Sequence, residues 1–166
     1  SIGKYKTYMC MRGTSTLSNK WDKKYIRLAR EISSWSKDPS TQIGAVAIGN
    51  KGQVLAQGYN GFPRGIEDNE ERLNNREEKY KYVVHAEMNC IYNATYNGVS
   101  LNGSTIYIYG LPVCSECAKG LIQVGVKRVV STPVTDATPE QWAVSTKLTK
   151  ALFKEAGVKY EYITTI

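Results

Sequence analysis

The sequence contains one histidine, four cysteines, five prolines and two phenylalanines in 166 residues. With His85 the only imidazole, any metal site that needs two histidines is excluded. Four cysteines are too few for a disulfide-rich scaffold, and a chain of this length buries roughly 70% of its unfolded surface without such staples. No run approaches the ~18 consecutive apolar residues of a membrane span. No charged-then-apolar segment opens the chain, so the expected setting is soluble and cytoplasmic. Internal repeats and low-complexity tracts are absent too, which removes solenoid, collagen-like and disordered classes. A mass of 18.5 kDa, with 42% hydrophobic and 22% charged residues, fits one globular domain.

Acidic residues are also in short supply. Fifteen acids face 22 bases, for a net charge of +7, which by itself suggests a nucleic-acid partner. Position weakens that suggestion. Lys4, Lys6, Arg12, Lys20, Lys23, Lys24, Arg27 and Arg30, against Asp22 alone, place the whole excess in residues 1–30. Residues 31–166 are formally neutral. Residues 1–19, rich in Ser, Thr, Gly and Lys, read as a flexible basic arm, and 20–166 as a single domain. The chain opens on Ser1 rather than Met, which suggests processing or trimming.

From Trp21 the pattern turns helical, with Trp21, Tyr25, Leu28, Ala29 and Ile32 as the apolar stripe and Lys20, Lys23, Lys24 and Arg27 on a solvated opposite face. Ser18 or Asn19 caps this helix, Asp22 suits its dipole, and it ends before Pro39. Strand-like runs 43–48 and 53–59 flank Gly49-Asn50-Lys51-Gly52, a hairpin signal. A charged surface excursion spans 62–84. Residues 84–97 and 115–124 read as helices, with Gly125 ending the second; 105–109 and 126–130 read as strands. Thr138-Pro139-Glu140 opens a last helix that Gly157 closes, and Val158, Tyr160 and Tyr162 alternate as a final strand. The tyrosine pairs 80/82, 107/109 and 160/162 suggest strand or edge packing. The element order implies a mixed sheet with helices on both faces.

The chemistry concentrates in two short runs, His85-Ala86-Glu87-Met88-Asn89 and Cys114-Ser115-Glu116-Cys117. Two thiolates three residues apart at a helix start, with one imidazole on another helix, form an N/S donor set suited to zinc. Three protein ligands leave one tetrahedral position for water, whose pKa falls to about 7. Glu87, in the first helical turn, can lean over that water as a proton carrier without ligating. Cys10 and Cys90 have no partner at ligand spacing and read as unligated thiols, Cys90 in the core. Asn60 could be a turn residue or a substrate contact, and Asn89 a supporting group or a substrate contact.

The pattern H-x-E followed by P-C-x-x-C is the known signature of zinc deaminases. The chain resembles the cytidine/deoxycytidylate deaminase superfamily, and within it the deoxycytidylate (dCMP) deaminases. Ser36-Lys37-Asp38-Pro39, Gly44-Ala45-Val46, Gly58-Tyr59-Asn60-Gly61 with Pro63, His85-Ala86-Glu87 with Asn89 and Ile91, and Glu116-Cys117-Ala118-Lys119 carry the likeness in family order, across about 21–163. The resemblance implies a three-layer α/β/α fold with a five-stranded mixed sheet. It implies one catalytic Zn2+ per chain on His85, Cys114 and Cys117, with Glu87 as proton shuttle in the conversion of dCMP to dUMP and ammonia. Asn60 matches the deoxyribose contact and the Ala86 backbone the group that holds the pyrimidine edge; Lys37 and Ser40 fall near the 5′-phosphate. It further implies a homohexamer activated by dCTP and inhibited by dTTP, at a site around Gly58, Tyr59, Gly61 and Gly65. Mg2+ would accompany a nucleoside triphosphate effector.

Two departures stand out. The proline that normally abuts the first cysteine is displaced, giving Leu111-Pro112-Val113-Cys114, with a small shift of the loop expected. The excursion also lacks the Cys or His that hold a second, structural zinc in some relatives. A base deaminase acting on tRNA or single-stranded DNA shares the metal motif, but its channel should be basic where residues 62–84 are near neutral. A non-catalytic zinc module has no need of Glu87. No membrane partner is expected, and nucleic acid is disfavoured.

Overall fold

The structure is a computed structural model, and it describes residues 20–133, 138, 140, 142–164 and 166. The expected basic arm and the Pro139 start of the last helix lie outside the described residues. In chain order the elements are α1 (Lys20–Ser33), β1 (Gly44–Ile48), β2 (Val54–Tyr59), α2 (Glu70–Asn74), α3 (Arg76–Tyr82), α4 (Ala86–Tyr96), β3 (Thr105–Tyr109), α5 (Ser115–Gln123), β4 (Arg128–Ser131), α6 (Trp142–Ala156) and β5 (Lys159–Tyr162). No helix among the described residues is long and apolar enough to cross a membrane.

Strand β1 organises the molecule because every one of its residues is buried. Ala45 and Ala47 pack on one side of the sheet and Val46 and Ile48 on the other, so helices must cover both faces. The sheet order is β2-β1-β3-β4-β5. β1 is antiparallel to β2 and β3, whereas β3, β4 and β5 are mutually parallel and joined through helices. Helix α1 covers Val46, Ile48, Tyr107 and Val130, while α4, α5 and α6 pack together on the opposite face. This is the three-layer mixed-sheet architecture that the element order implied.

Two expectations required correction. The buried stripe of α1 is Asp22, Ile26, Ala29, Ile32 and Ser33, and Trp21 is 56% exposed. The helix turns this way because Arg128 on β4 reaches under the sheet and draws Asp22 inward. Its guanidinium grips Asp22 at 2.7 Å and Glu161 at 3.0 Å, and both carboxylates are buried. Removing one member of such a group strands the others. Arg128→Met should therefore lower unfolding stability by about 3–5 kcal/mol, measured by urea titration.

The excursion also contains more structure than its polarity suggested. Asn69 and Asn75 each accept a backbone amide, from Arg72 and Glu78, and so cap the successive helices α2 and α3. Tyr80 and Tyr82 consequently lie on a helix rather than a strand. Both residues of the Tyr107/Tyr109 pair lie within β3 and both of the Tyr160/Tyr162 pair within β5, as expected. Gly125 and Gly157 follow α5 and α6 with φ of 84° and 77°, the left-handed conformation that ends a helix.

Candidate metal centre and active site

Helix α4 lies directly on β2 because Gly58 has no side chain. A Cβ at that position would overlap the Cys90 amide nitrogen and the Ala86 carbonyl oxygen. This contact places the start of α4 close to the sheet. His85 is its N-cap residue, in extended conformation, and its ring caps nothing. The imidazole is thus available to the neighbouring helix. There, Cys114 is the N-cap of α5, and its Sγ accepts from the Cys117 amide at 3.5 Å.

These two helix starts meet at a single point. His85 Nδ1 lies 3.4 Å from Cys114 Sγ and 3.3 Å from Cys117 Sγ. Around a tetrahedral zinc with Zn–S near 2.3 Å and Zn–N near 2.0 Å, sulfur and nitrogen sit about 3.5 Å apart. The donor set therefore fits zinc in both chemistry and spacing. Among the described residues, the triad is the one group of three or more His, Cys, Asp or Glu with ligand atoms all within 4.8 Å.

The electrostatics agree with a cation site. The Cys117 hydrogen bond, helped by His85 and opposed by burial, holds the Cys114 thiol down at about 4. The same bond, together with burial, pushes the Cys117 thiol up. His85 is raised by its hydrogen bond to Cys114. A divalent cation bound by these donors would displace their protons, because thiolate and neutral imidazole are the ligating forms.

Glu87 is 4% exposed, in the first turn of α4, and its Oε1 has no hydrogen-bond partner. Burial raises its carboxyl to about 7, against the pull of His85. A buried carboxylate oxygen without a donor is costly unless a ligand or water completes it. Ala86 is fully buried beside it.

The other candidate residues lie on the loop before β1 and around the turn after β2. Asn60 Oδ1 accepts from the Ile43 amide and Nδ2 donates to the Thr41 carbonyl, each at 2.8 Å, so its side chain ties this loop to the turn. Asn89 likewise donates to the Tyr59 carbonyl at 2.8 Å. Lys37 is exposed and paired with Asp68 at 3.0 Å. Ser40 donates to Asp38 and accepts from Lys79 at 2.9 Å.

Lys79 escaped the sequence reading. It is 7% exposed and bonds Asp38 at 3.1 Å, fastening α3 to this loop. Burial raises the Asp38 carboxyl, but the Ser40 and Thr41 amides and Lys79 outweigh it and hold the group below its usual range. One lysine in a run of mixed charge gives no sign of burial; the Asp-Pro pair at 38–39 was the only local hint of a structured loop. Lys37, Asp38, Asn60 and Lys79 line a cavity of about 100 Å³. A second cavity, of about 400 Å³, is lined by Tyr59, Gly61, Arg64, Asn89 and Tyr92. Gly58 is buried under α4, while Gly65 is exposed with φ of 84°.

Comparison with known proteins follows the same geometry. A family model described as the cytidine and deoxycytidylate deaminase zinc-binding region matches residues 19–132. An uncharacterized deaminase of Aliivibrio fischeri is 34% identical over 145 residues, covering 87% of this chain and 95% of that protein. The deoxycytidylate deaminase of Mus musculus is 34% identical over 149 residues, covering 87% of this chain and 80% of the mouse protein. Among solved structures, the apo dCMP deaminase of cyanophage S-TIM5 superposes with a TM-score of 0.69 at 26% identity, covering 89% of this chain and 100% of the phage chain. The match spans both helix starts that carry the candidate metal triad and Glu87, and the chain belongs to the cytidine and deoxycytidylate deaminase family.

Proposed function

We propose that the protein is a zinc-dependent dCMP deaminase, converting dCMP and water to dUMP and ammonia. The observation that carries the reading is the unpartnered, buried Oε1 of Glu87 beside a two-sulfur, one-nitrogen donor set. His85, Cys114 and Cys117 would hold zinc, which when bound supplies Lewis acidity that makes water a competent nucleophile at neutral pH. Glu87 would take both protons of the attacking water in turn, passing the first to the pyrimidine ring nitrogen and the second to the departing amine, so that the amine leaves as ammonia and the water oxygen stays as the new carbonyl. The backbone of Ala86 holds the pyrimidine edge, and Asn60 places the deoxyribose against the loop it already secures. Lys37 and Ser40 receive the 5′-phosphate, with Lys37 exchanging Asp68 for the more highly charged group. The mouse relative bears the name deoxycytidylate deaminase, which supports this choice of substrate.

The same reading includes regulation. dCTP as activator and dTTP as inhibitor would occupy the cavity bounded by Tyr59, Gly61 and Arg64, continuing toward Gly65, in a cytoplasmic homohexamer. The Arg64 guanidinium supplies a cation for a triphosphate there, and Mg2+ would accompany that effector. Gly58 contributes by setting the position of α4 beneath the same loop.

An ammonia-release assay on dCMP, CMP, dCTP, deoxycytidine and a cytosine-containing oligonucleotide tests this proposal. The expected result is turnover of dCMP in at least tenfold preference to the others, modulated by dCTP and dTTP. Turnover confined to the oligonucleotide would instead favour the nucleic-acid base deaminase.

A further inference from the structure

The loop carrying Cys114 precedes α5, so its backbone groups cannot be satisfied within that helix. Three of them are held by hydroxyls from the C-terminal part of the chain. The Val113 amide donates to Tyr160 Oη at 3.2 Å, and the Val113 carbonyl accepts from Thr149 Oγ1 at 2.9 Å. On the other side of the cysteine, the Ser115 amide donates to Ser145 Oγ at 2.9 Å. Ser145 and Thr149 are four residues apart on α6 and so share a face. Tyr160, on β5, is oriented by a contact of 3.0 Å between its hydroxyl and Ser131 Oγ.

Val113 and Thr149 are fully buried, and water cannot replace these partners. The signature of zinc deaminases puts proline, which has no amide hydrogen, directly before the first cysteine. Here Val113 introduces one extra buried donor, and Tyr160 Oη is its acceptor. A buried donor without an acceptor would move the loop toward solvent and take Cys114 Sγ with it.

We propose that Ser145, Thr149 and Tyr160 form a hydroxyl clamp that grips the backbone on both sides of Cys114 and positions its sulfur for the metal. They are positioning residues, acting through Val113 and Ser115, and the inference rests on zinc binding by His85, Cys114 and Cys117. Groups that orient metal ligands in this manner typically change metal affinity by about 10- to 100-fold when removed.

The test measures zinc affinity of the full-length protein by competition with a chromophoric chelator. Thr149→Val and Tyr160→Phe are each expected to weaken zinc binding at least about tenfold. Thr149→Ser, which keeps the hydroxyl, should restore wild-type affinity. Ile26→Val, a packing loss on the opposite face of the sheet, should leave affinity unchanged. With cobalt(II) in place of zinc, the thiolate-to-metal band should shift in the hydroxyl-deletion variants and not in Ile26→Val. Should Thr149→Val fail to fold, Ser145→Ala at a half-buried position reads the same effect. Wild-type affinity and spectra in the folded hydroxyl-deletion variants, with affinity still dependent on Cys114, would overturn the clamp alone. Undiminished zinc binding by Cys114→Ala would overturn the metal assignment, and the clamp with it.

Discussion

Glu87→Gln should reduce kcat by about 10²- to 10⁴-fold while zinc content stays at the wild-type level. Glutamine preserves the shape and burial of the side chain but cannot accept and return a proton. Because Glu87 is not one of the three triad donors, its loss should leave metal retention intact. The distinction from a simple folding defect lies in stability. The native carboxyl is buried, and its Oε1 has no partner. Exchanging it for a neutral amide should leave the melting temperature of the metal-free protein equal or higher, the usual relation between an active-site group and stability. Parallel measurements of kcat, zinc content and Tm check all three outcomes. Near-normal kcat would show that the proton passes by another route.

Cys117→Ala is expected to have the larger effect, removing turnover to below detection together with bound zinc. Cys117 is almost fully buried, and its sulfur completes a triad in which each donor lies within 4.8 Å of the others. Two remaining donors make a far weaker site. The shift of water acidity from 15.7 to about 7 depends on the cation staying in place. Chelation of the wild-type protein should reproduce the loss, and added zinc should reverse it. The wild type should also lose at least about 2.7 kcal/mol of stability when zinc held at a hundredfold over its Kd is withdrawn. The variant should show no such difference, because it has no bound ion to lose. Zinc analysis, activity and urea titration with and without chelator check this. Retention of one zinc per chain by Cys117→Ala would remove that residue from the site.

Both predictions concern residues whose proposed roles are legible in the sequence, for a local reason. Ligand spacing within Cys114–Cys117 spans one helical turn, and His85 and Glu87 share another. Once each segment is recognised as a helix start, its geometry follows from backbone conformation with little help from the rest of the chain. The continuous apolar run of β1 and the glycine stops after α5 and α6 are equally local.

Other features were misread because residue type pointed the wrong way. Asp22 has the character of a helix-start charge, and its burial is explained by distant partners, Arg128, 106 residues later, and the Tyr107 hydroxyl, 85 residues later. Lys79 sits among alternating charges, yet Asp38, 41 residues earlier, draws it inside. Helices α2 and α3 are too short and polar to announce themselves by hydrophobic period, and their asparagine caps become meaningful only once the chain is folded.

The sequence by itself determined the layer order and the family likeness and pointed to the candidate donor set and proton carrier, since the short runs 85–89 and 114–117 that carry them are each about one helical turn long. Tertiary structure decided which way α1 faces, what holds the loop before β1, and which hydroxyls support Cys114. Thr149 and Tyr160 reach Val113 across 36 and 47 residues of chain. Their hydroxyls resemble those of any helix or strand until packing brings them to a buried backbone group. Burial then makes each bond obligatory, because no water remains to take its place.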